Sequence, residues 1–526
     1  MHPTTSGPSL SERVAGAIFW NTVTFPLKVA IKFLASLVIA WVLSREQYGL
    51  FQAAVGSLVA TIWTTTGLGI SASILKFVPE VMQRQGTVGV SRFLRQLFGL
   101  RLGLLFLVVG LLNLESGIVI TRFHLGPLGL FLLRAGSVIV VMRAVTDTCS
   151  RVLTAYFKQK TTNTLDIISA LVQPLLILLL VPGGLGFGLG IRGAVFALLI
   201  GSLIDLALAL YALRHALRQL PTVTGEWQLV PHMWRRFTTS SLINYVMDQS
   251  VLITSPDFVA LLLLWFARPG DLADIEVGWN QVIILLGYLV LPLNGIYVPM
   301  FSEIFVRHEE HKLPGAYATL TRTLLLATVP PGIGWIMLAP QVFTVLRLAS
   351  KYPHAAATAQ VLTFFLFAES IVVVPHVILM VYERYRVVMA SRLLTVLGIP
   401  LIWLAVRGSS PVVVALTIGA LRCGSRLVLT PYASRAFKLQ FPWRFGLRLL
   451  VPSAAFALVL TGLSSVLQVS AKQLPWINVL YLAVLVLTGL IVFMVGFKAL
   501  GGLDPADRKR LAAMRIPLGR LMLRYL

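Results

Sequence analysis

Residues 97–120 read LFGLRLGLLFLVVGLLNLESGIVI, a stretch in which Arg101 and Glu115 are the charged positions. A helix needs about 20 mostly apolar residues to cross the hydrocarbon core of a bilayer, so this stretch is long enough to span a membrane. Its apolar residues run continuously instead of alternating, which is typical of a membrane helix and not of a barrel strand.

The whole chain repeats this pattern. Of its 526 residues 57% are hydrophobic and only 12% are charged, whereas a soluble domain has about 25% charged residues. This composition excludes a soluble enzyme, a disordered protein and a coiled coil, and it predicts an all-α polytopic membrane protein. We predict about fourteen transmembrane helices over the approximate ranges 15–43, 49–71, 97–120, 127–147, 165–182, 193–213, 237–267, 277–300, 323–340, 358–381, 387–407, 411–431, 446–467 and 476–499.

The excess of basic residues, 44 Lys and Arg against 20 Asp and Glu, follows these spans. If Met1 is cytoplasmic, 29 of the 44 lie in cytoplasmic segments, 8 in outer loops and 7 inside spans. Basic residues collect on the cytoplasmic side of membrane proteins. The charge therefore predicts a multi-pass protein of the cytoplasmic (inner) membrane with both termini in the cytoplasm, and it gives no reason to expect nucleic acid as a partner.

No motif predicts catalysis. The chain has no Walker A loop, its two cysteines form no disulfide or metal-binding pattern, and His308 and His311 are three apart, not four as in a zinc protease. We therefore expect no enzyme activity, no metal site and no cofactor, with H⁺ or Na⁺ as the candidate coupling ion.

Two stretches near the N-terminus resemble a known family. The first is Leu43-Ser44-Arg45-Glu46-Gln47-Tyr48-Gly49-Leu50-Phe51, and the second is Gly67-Leu68-Gly69-Ile70 followed by Lys76-Phe77-Val78-Pro79-Glu80. Together they are similar to the opening of the polysaccharide-biosynthesis flippase family, related to the lipid II flippases and to the multidrug and toxin extrusion transporters. Ser44 and Arg45 stand where the family usually has Gly-Pro. Weaker likenesses follow at Pro299-Met300-Phe301-Ser302-Glu303 and around Leu338-Ala339-Pro340 and Tyr352.

The resemblance implies two six-helix lobes around a central cavity and transport by alternating access. It divides the chain into an N-terminal lobe over 1–222, a C-terminal lobe over 223–434, and two extra helices with a basic cytoplasmic tail over 435–526. The implied function is a flippase for a lipid-linked (polyprenyl-pyrophosphate) oligosaccharide or polysaccharide repeat unit of the cell envelope. The implied partners are this substrate, membrane lipids and the glycan polymerase or glycosyltransferase machinery. The alternatives are an ion-coupled multidrug or cation exporter of the same superfamily and a membrane glycan polymerase or ligase.

Cations inside the spans are the candidate substrate-binding residues, because a charge at membrane depth must face a cavity or a partner. Lys28 and Lys32 lie four apart, on one face of the first predicted helix, and Arg134 lies deep in the fourth. Two interpretations are open for the lysines. They bind the pyrophosphate or an acidic sugar, or they are neutralised by the buried acids and only hold the helices together.

Deep carboxylates are the candidate coupling groups or counter-charges, and four are predicted: Asp205, Asp248, Asp257 and Glu369. The first three are the acids that could neutralise the lysines. Nearer the ends of the spans, Arg101, Arg422 and Arg426 are expected to anchor the interface and Asp147 to be solvated, and Glu276 is expected in a short outer loop.

One proline interrupts the first helix of each predicted lobe: Pro26 in the N-terminal lobe and Pro256 in the C-terminal lobe. Paired interrupted helices in two halves point to a transporter site, so we predict these two prolines as hinges.

Overall fold

The computed structural model describes residues 24, 27–31, 33–156, 158–182, 187–218, 231–467, 469, 473 and 475–503. Within these ranges every regular element is a helix, which confirms the predicted all-α membrane fold. Two predicted site residues, Pro26 and Lys32, lie outside the described residues.

The chain divides into two compact units. Unit 1 comprises 1–276 and 395–408, and unit 2 comprises 277–394 and 409–526. The predicted division at 222 and 434 is a different partition and stays a prediction.

The helices of unit 1 follow a helical segment at 27–31 and 33–42. They are α1 (Arg45–Phe51), a π-helical turn (Gln52–Ser57), α2 (Leu58–Thr66), α3 (Ile70–Leu114), α4 (Ser116–Arg122), α5 (Gly129–Ala155), α6 (Gln159–Leu180), α7 (Gly190–Arg218), α8 (Pro231–Ile253), α9 (Pro256–Trp265) and the first turns of α10 (Pro269–Val306).

Unit 2 contains the rest of α10 and most of the remaining helices. They are α11 (Leu313–Val345), α12 (Ala355–Val381), α13 (Tyr385–Leu397), α14 (Ile399–Gly408, in unit 1), α15 (Pro411–Leu427), α16 (Leu429–Phe437), α17 (Trp443–Val466) and α18 (Pro475–Ala499).

In the described part of the chain ten helices are long and apolar enough to cross a membrane, or up to twelve if each bent pair counts as one span. The predicted number of fourteen is therefore not confirmed. The bent pairs are Arg45–Thr66 with Ile70–Met82, at 46°, and Met233–Ile253 with Pro256–Trp265, at 53°.

The segment 72–96 lies between the second and third predicted spans. It is part of α3, which is interrupted only at Gly86, where φ is 64° and ψ is −162°. The segment stays helical because its apolar residues pack into the core of unit 1. Phe77 lies edge-on to Phe237 of α8, with ring centroids 5.4 Å apart, and both rings are buried.

The family-like stretches have a direct structural role in unit 1. Ser44 caps α1: its hydroxyl accepts from the Gln47 amide, and the Gln47 side chain accepts from the Ser44 amide. Such a capping box satisfies two otherwise unpaired backbone donors. Glu80, which closes the second stretch, accepts a hydrogen bond from Arg236 of α8 at 3.0 Å.

Unit 2 is built around α12, which packs against α11 and α15. The last two helices, α17 and α18, pack on each other and on α11. Their shared core is aromatic: Phe445, Phe493 and Phe497 are all buried in it.

Gly69 forms the corner between α2 and α3, and it is the basis of a stability prediction. Its φ is +66°, and a Cβ at this position would lie 2.1 Å from the backbone oxygen of Ser241. We expect Gly69→Ala to destabilise the protein strongly, because the left-handed backbone alone costs about 1–2 kcal/mol for a non-glycine residue and the α8 backbone must also move. Gly103→Ala in α3 is the matched control, since its Cβ meets nothing within 4 Å. Thermal unfolding in detergent measures both, and equal midpoints for the two variants would contradict this account.

Candidate functional site

A cavity of about 350 Å³ lies among α2, α5 and α7 of unit 1. Its wall combines apolar side chains with charged ones at membrane depth. The lining residues are Val59, Ala60, Trp63, Arg143, Thr146, Asp147, Ser202 and Asp205. Charged groups inside a membrane protein face such cavities or each other, so this cavity is the centre of the candidate site.

Asp147, which lines the cavity, forms ion pairs with two arginines. Arg101, which is 2% exposed, donates to the Asp147 carboxylate at 3.2 Å and to the Thr148 hydroxyl at 2.8 Å. Arg151 reaches the other carboxylate oxygen at 3.3 Å. Arg101 was expected to be an interface anchor and Asp147 a solvated residue, and both expectations are wrong. The two side chains form a buried ion pair.

Arg143 and Asp205 form the opposite charged wall. Asp205 accepts a hydrogen bond from the Ser169 hydroxyl of α6 and lies within electrostatic reach of Arg143. Arg143 also interacts electrostatically with Asp257. Arg143 therefore interacts electrostatically with two of the predicted coupling acids, Asp205 and Asp257.

Lys28 is paired with α6. Its Nζ donates to the Asn163 side chain at 2.5 Å and to Asp166 Oδ2 at 2.6 Å. The carboxylate that Lys28 contacts is thus Asp166, and not one of the three acids suggested as its partners from the sequence. Asp166 also acts electrostatically on Asp205, so Lys28 belongs to the same charge network as the cavity.

A second group of polar residues collects where two helices of unit 1 are irregular. Asp257 lies in the first turn of α9, directly after the break, and Glu276 lies near the start of α10. The Ser57 side chain lies near both carboxyl groups, and Gln52 lies near Glu276, although the buried Ser57 hydroxyl makes no hydrogen bond of normal geometry. Gln52 and Ser57 are the first and last residues of the π-helical turn. Such turns often occur at functional sites.

Glu276 was expected in an exposed outer loop, and this prediction is wrong. Its residue is 3% exposed, and its Oε1 has no hydrogen-bond partner. The loop prediction failed because the apolar count started the next span at 277, whereas the helix already begins at Pro269, a residue suited to the first helical position.

The helix starts of α1 and α10 are joined by ion pairs. Arg45 contacts Asp274 at 2.7 Å and Asp271 at 3.3 Å, and Asp271 also pairs with Arg268 at 2.6 Å. The Asp274 side chain is fully buried. Gly49 allows this close approach, because a Cβ there would lie 1.9 Å from the Pro269 backbone oxygen.

Glu369, the fourth predicted acid, lies in unit 2 and is a counter-charge. Its two oxygens pair with Arg422 Nε and Arg426 Nη1, each at 2.5 Å. These arginines were expected to anchor the interface, but they point into the protein and are 18% and 14% exposed. Glu369 therefore lies between two guanidinium groups and balances part of their charge.

The remaining predicted residues lie away from these contacts. Arg134 is on an exposed stripe of α5, between Leu130 and Val138. Asp248 is exposed on α8 and interacts electrostatically with Arg151. Pro256 is the first residue of α9, at the 53° break, and its role as a hinge stays a prediction.

The described residues include no group of three or more His, Cys, Asp or Glu that could hold a metal ion. The ion pairs of unit 1 instead join groups of opposite charge, and the interacting Asp257 and Glu276 are the exception. What the site offers chemically is electrostatic binding of a charged group and exchange of a small cation.

Comparison with known proteins gives a family and a fold. The model of the polysaccharide biosynthesis protein family matches residues 14–305, slightly more than half of the chain. No curated protein sequence matches this chain significantly.

Two solved structures illustrate the likeness in fold. The structure of lipid II flippase MurJ in an inward closed conformation has a TM-score of 0.68 at 13% identity, covering 91% of this chain and 98% of its own. An inward-facing multidrug resistance transporter of the MATE family has a TM-score of 0.60 at 12% identity, covering 78% of this chain and 94% of its own. At this identity the likeness shows the fold.

The two arginines on Asp147 give a matched pair of variants. We expect Arg101→Met to lower the free energy of unfolding by about 3–5 kcal/mol, because it leaves a half-buried carboxylate with one partner fewer and empties a buried donor position. Arg151→Met should cost about 1 kcal/mol or less, since that side chain is 44% exposed. Thermal or denaturant unfolding in detergent compares the two, and a smaller loss for Arg101→Met than for Arg151→Met would contradict the assignment.

Proposed function

The chain belongs to the polysaccharide biosynthesis protein family, and we propose on that basis that it is a flippase. Its substrate would be a lipid-linked (polyprenyl-pyrophosphate) oligosaccharide or polysaccharide repeat unit, carried across the cytoplasmic membrane by alternating access. The polyprenyl tail would stay in the lipid while the charged head crosses the protein.

The observation that carries this proposal is the family match over 14–305, because it includes every residue that lines the cavity of unit 1. A head group with a pyrophosphate needs cations at membrane depth. Arg143 lines the cavity, and Lys28 belongs to the adjoining charge network. Lys28 is paired with Asp166, and Arg143 interacts electrostatically with Asp205 and Asp257, so an incoming anion can replace a carboxylate without first exposing a bare charge to lipid.

Substrate transport by this fold also needs an energy source, and the Asp257–Glu276 pair is the candidate coupling site. Two carboxylates that interact in a buried place cannot both be ionised at low cost. The pair is therefore suited to take up H⁺ or Na⁺ in one step of the cycle and to release it in another. The nearby irregular backbone supports this role, since broken helices supply the coordinating groups in many secondary transporters.

A second candidate function, an ion-coupled multidrug or cation exporter, is favoured by one observation. Two of the three ionisable residues that line the cavity, Asp147 and Asp205, are acidic. Asp147 is already paired with two arginines, so the cavity offers a cationic drug little free negative charge. We rank this function second for that reason.

The remaining properties follow from the flippase proposal. We expect an inner-membrane protein with cytoplasmic termini, no catalytic activity of its own, and glycan polymerase or glycosyltransferase machinery as its partners.

Complementation tests the main proposal. Expression of this chain in bacteria that lack their own repeat-unit flippase should restore the surface glycan, measured by glycan immunoblot or lectin binding on intact cells. Restored growth on toxic cationic dyes without any restored glycan would favour the exporter instead.

Lys28 gives the first functional prediction. Lys28→Ala with Lys32→Ala should abolish glycan export at unchanged expression, because the substrate loses its cations. The charge swap Lys28→Asp with Asp166→Lys keeps the ion pair and serves as the control for a structural role. Wild-type export from the charge-swap variant would show that Lys28 only joins its helix to α6.

Glu276 gives the second functional prediction. Glu276→Gln keeps the shape of the side chain but removes one ionisable group of the pair, so export should fall strongly and lose its dependence on the imposed pH or sodium gradient. Glu46→Gln, at an exposed position of α1, is the matched control. Transport into vesicles under imposed gradients measures both, and an unchanged gradient dependence in Glu276→Gln would exclude this pair as the coupling site.

A further inference from the structure

Unit 2 contains a buried cluster of charges that the proposed function does not use. Glu369 pairs with Arg422 and Arg426, and Arg392 of α13 lies close enough to interact with all three. Arg392 is 4% exposed. We call this group, with the neighbouring His376, the arginine cluster.

The arginine cluster carries more positive charge than its acid can balance. Arginine stays protonated in proteins, so three guanidinium groups share one carboxylate. In the described part of the chain Glu369 is the acidic group that acts on Arg392. Buried charges without a counter-charge are strongly destabilising, so two uncompensated positive charges at this depth call for an anion.

Unused hydrogen-bond donors point to the same place. The Nε atoms of Arg392 and Arg426 are buried and have no hydrogen-bond partner, and neither has Nδ1 of His376. His376 is 9% exposed and interacts with both of these arginines. Buried donors normally have partners. Here the two guanidinium donors belong to interacting side chains, and Nδ1 of His376 becomes a third donor in the tautomer that carries its proton there.

The cluster is also fixed in position. Arg422 lies over the ring of Trp279, with its guanidinium carbon 5.5 Å from the ring centroid, an arrangement that holds a cation on an aromatic face. Glu369 anchors Arg422 and Arg426, which lie one turn apart on α15. The guanidinium groups of Arg422 and Arg426 are therefore already in place before an anion binds.

We propose that the arginine cluster of unit 2 binds a small inorganic anion, of the size of chloride, beside Arg392, Arg426 and His376. The tight burial of these side chains suits a monatomic anion better than a sugar phosphate. The anion stabilises unit 2 by reducing its buried positive charge. This role is independent of the flippase proposal, because it concerns folding stability and not transport.

Thermal unfolding of the purified full chain in detergent tests the site. Chloride is replaced by gluconate at constant ionic strength and pH, and sodium chloride is then titrated back. The wild type should unfold at a higher temperature in chloride, with a saturable rise. Arg392→Met should lose most of that rise, and in gluconate it should be at least as stable as the wild type, because the excess buried charge is gone.

Arg386→Met is the matched control, since Arg386 lies on the same helix and is exposed. It should keep the full chloride response. If Arg392→Met does not fold, Arg392→Lys serves instead, and it should need several-fold more chloride for the half-maximal shift, because lysine keeps the charge but loses the guanidinium donors.

Three results would overturn the proposal. They are a wild-type midpoint that is equal in chloride and gluconate, a chloride response of Arg392→Met or Arg392→Lys equal to that of the wild type, and an equal loss of response in Arg386→Met. The complementation experiment distinguishes this outcome from a failure of the flippase proposal, because it reads transport and does not depend on the anion response.

Discussion

The structure depends on one constraint: an ionisable side chain at membrane depth has to find its partner inside the protein. Unit 1 meets it with pairs of opposite charge, and Arg101 with Asp147 is the most buried of them. In unit 2 the same rule brings Glu369 between two arginines of α15. Each of these contacts joins two helices, so the charges that make the interior suitable for an anionic head group also fix how the helices pack. Removing a charge therefore affects both packing and binding, which is why matched variants at exposed positions are needed to separate the two.

The sequence was sufficient for the parts of the fold that depend on composition. Long apolar runs predicted membrane helices, and the stretches around Gly49 and Gly69 predicted the family. The structure adds that another backbone approaches both glycines too closely for a Cβ. The break at Pro256 was also foreseen, since proline cannot continue a helix without losing a backbone hydrogen bond. These features depend on residues that are close together in the sequence, so the sequence alone can predict them.

The partners of the charged residues could not be predicted, because they are set by packing between distant segments. Lys28 and Asp166 form a hydrogen bond although they are 138 positions apart in the sequence. The residues around either of them give no sign of this contact. Arg101, Arg422 and Arg426 looked like interface anchors because they lie near the ends of apolar runs, but their ion pairs with Asp147 and Glu369 turn them into the protein. Glu276 was missed for a related reason. Counting apolar residues started the next span at 277, just after Glu276. The helix in fact begins at Pro269, seven residues before Glu276.

The π-helical turn at Gln52–Ser57 affects how this chain is compared with its relatives. A π turn closes its hydrogen bond over one residue more than an α turn does, so the faces of α1 and α2 are out of step by one position. A relative with a regular α-helix here would have one residue fewer and would still present the same faces on either side. An alignment of the two needs a single-residue gap inside an apparently continuous helix. Placing that gap elsewhere would assign the wrong residues to the positions of Gln52 and Ser57.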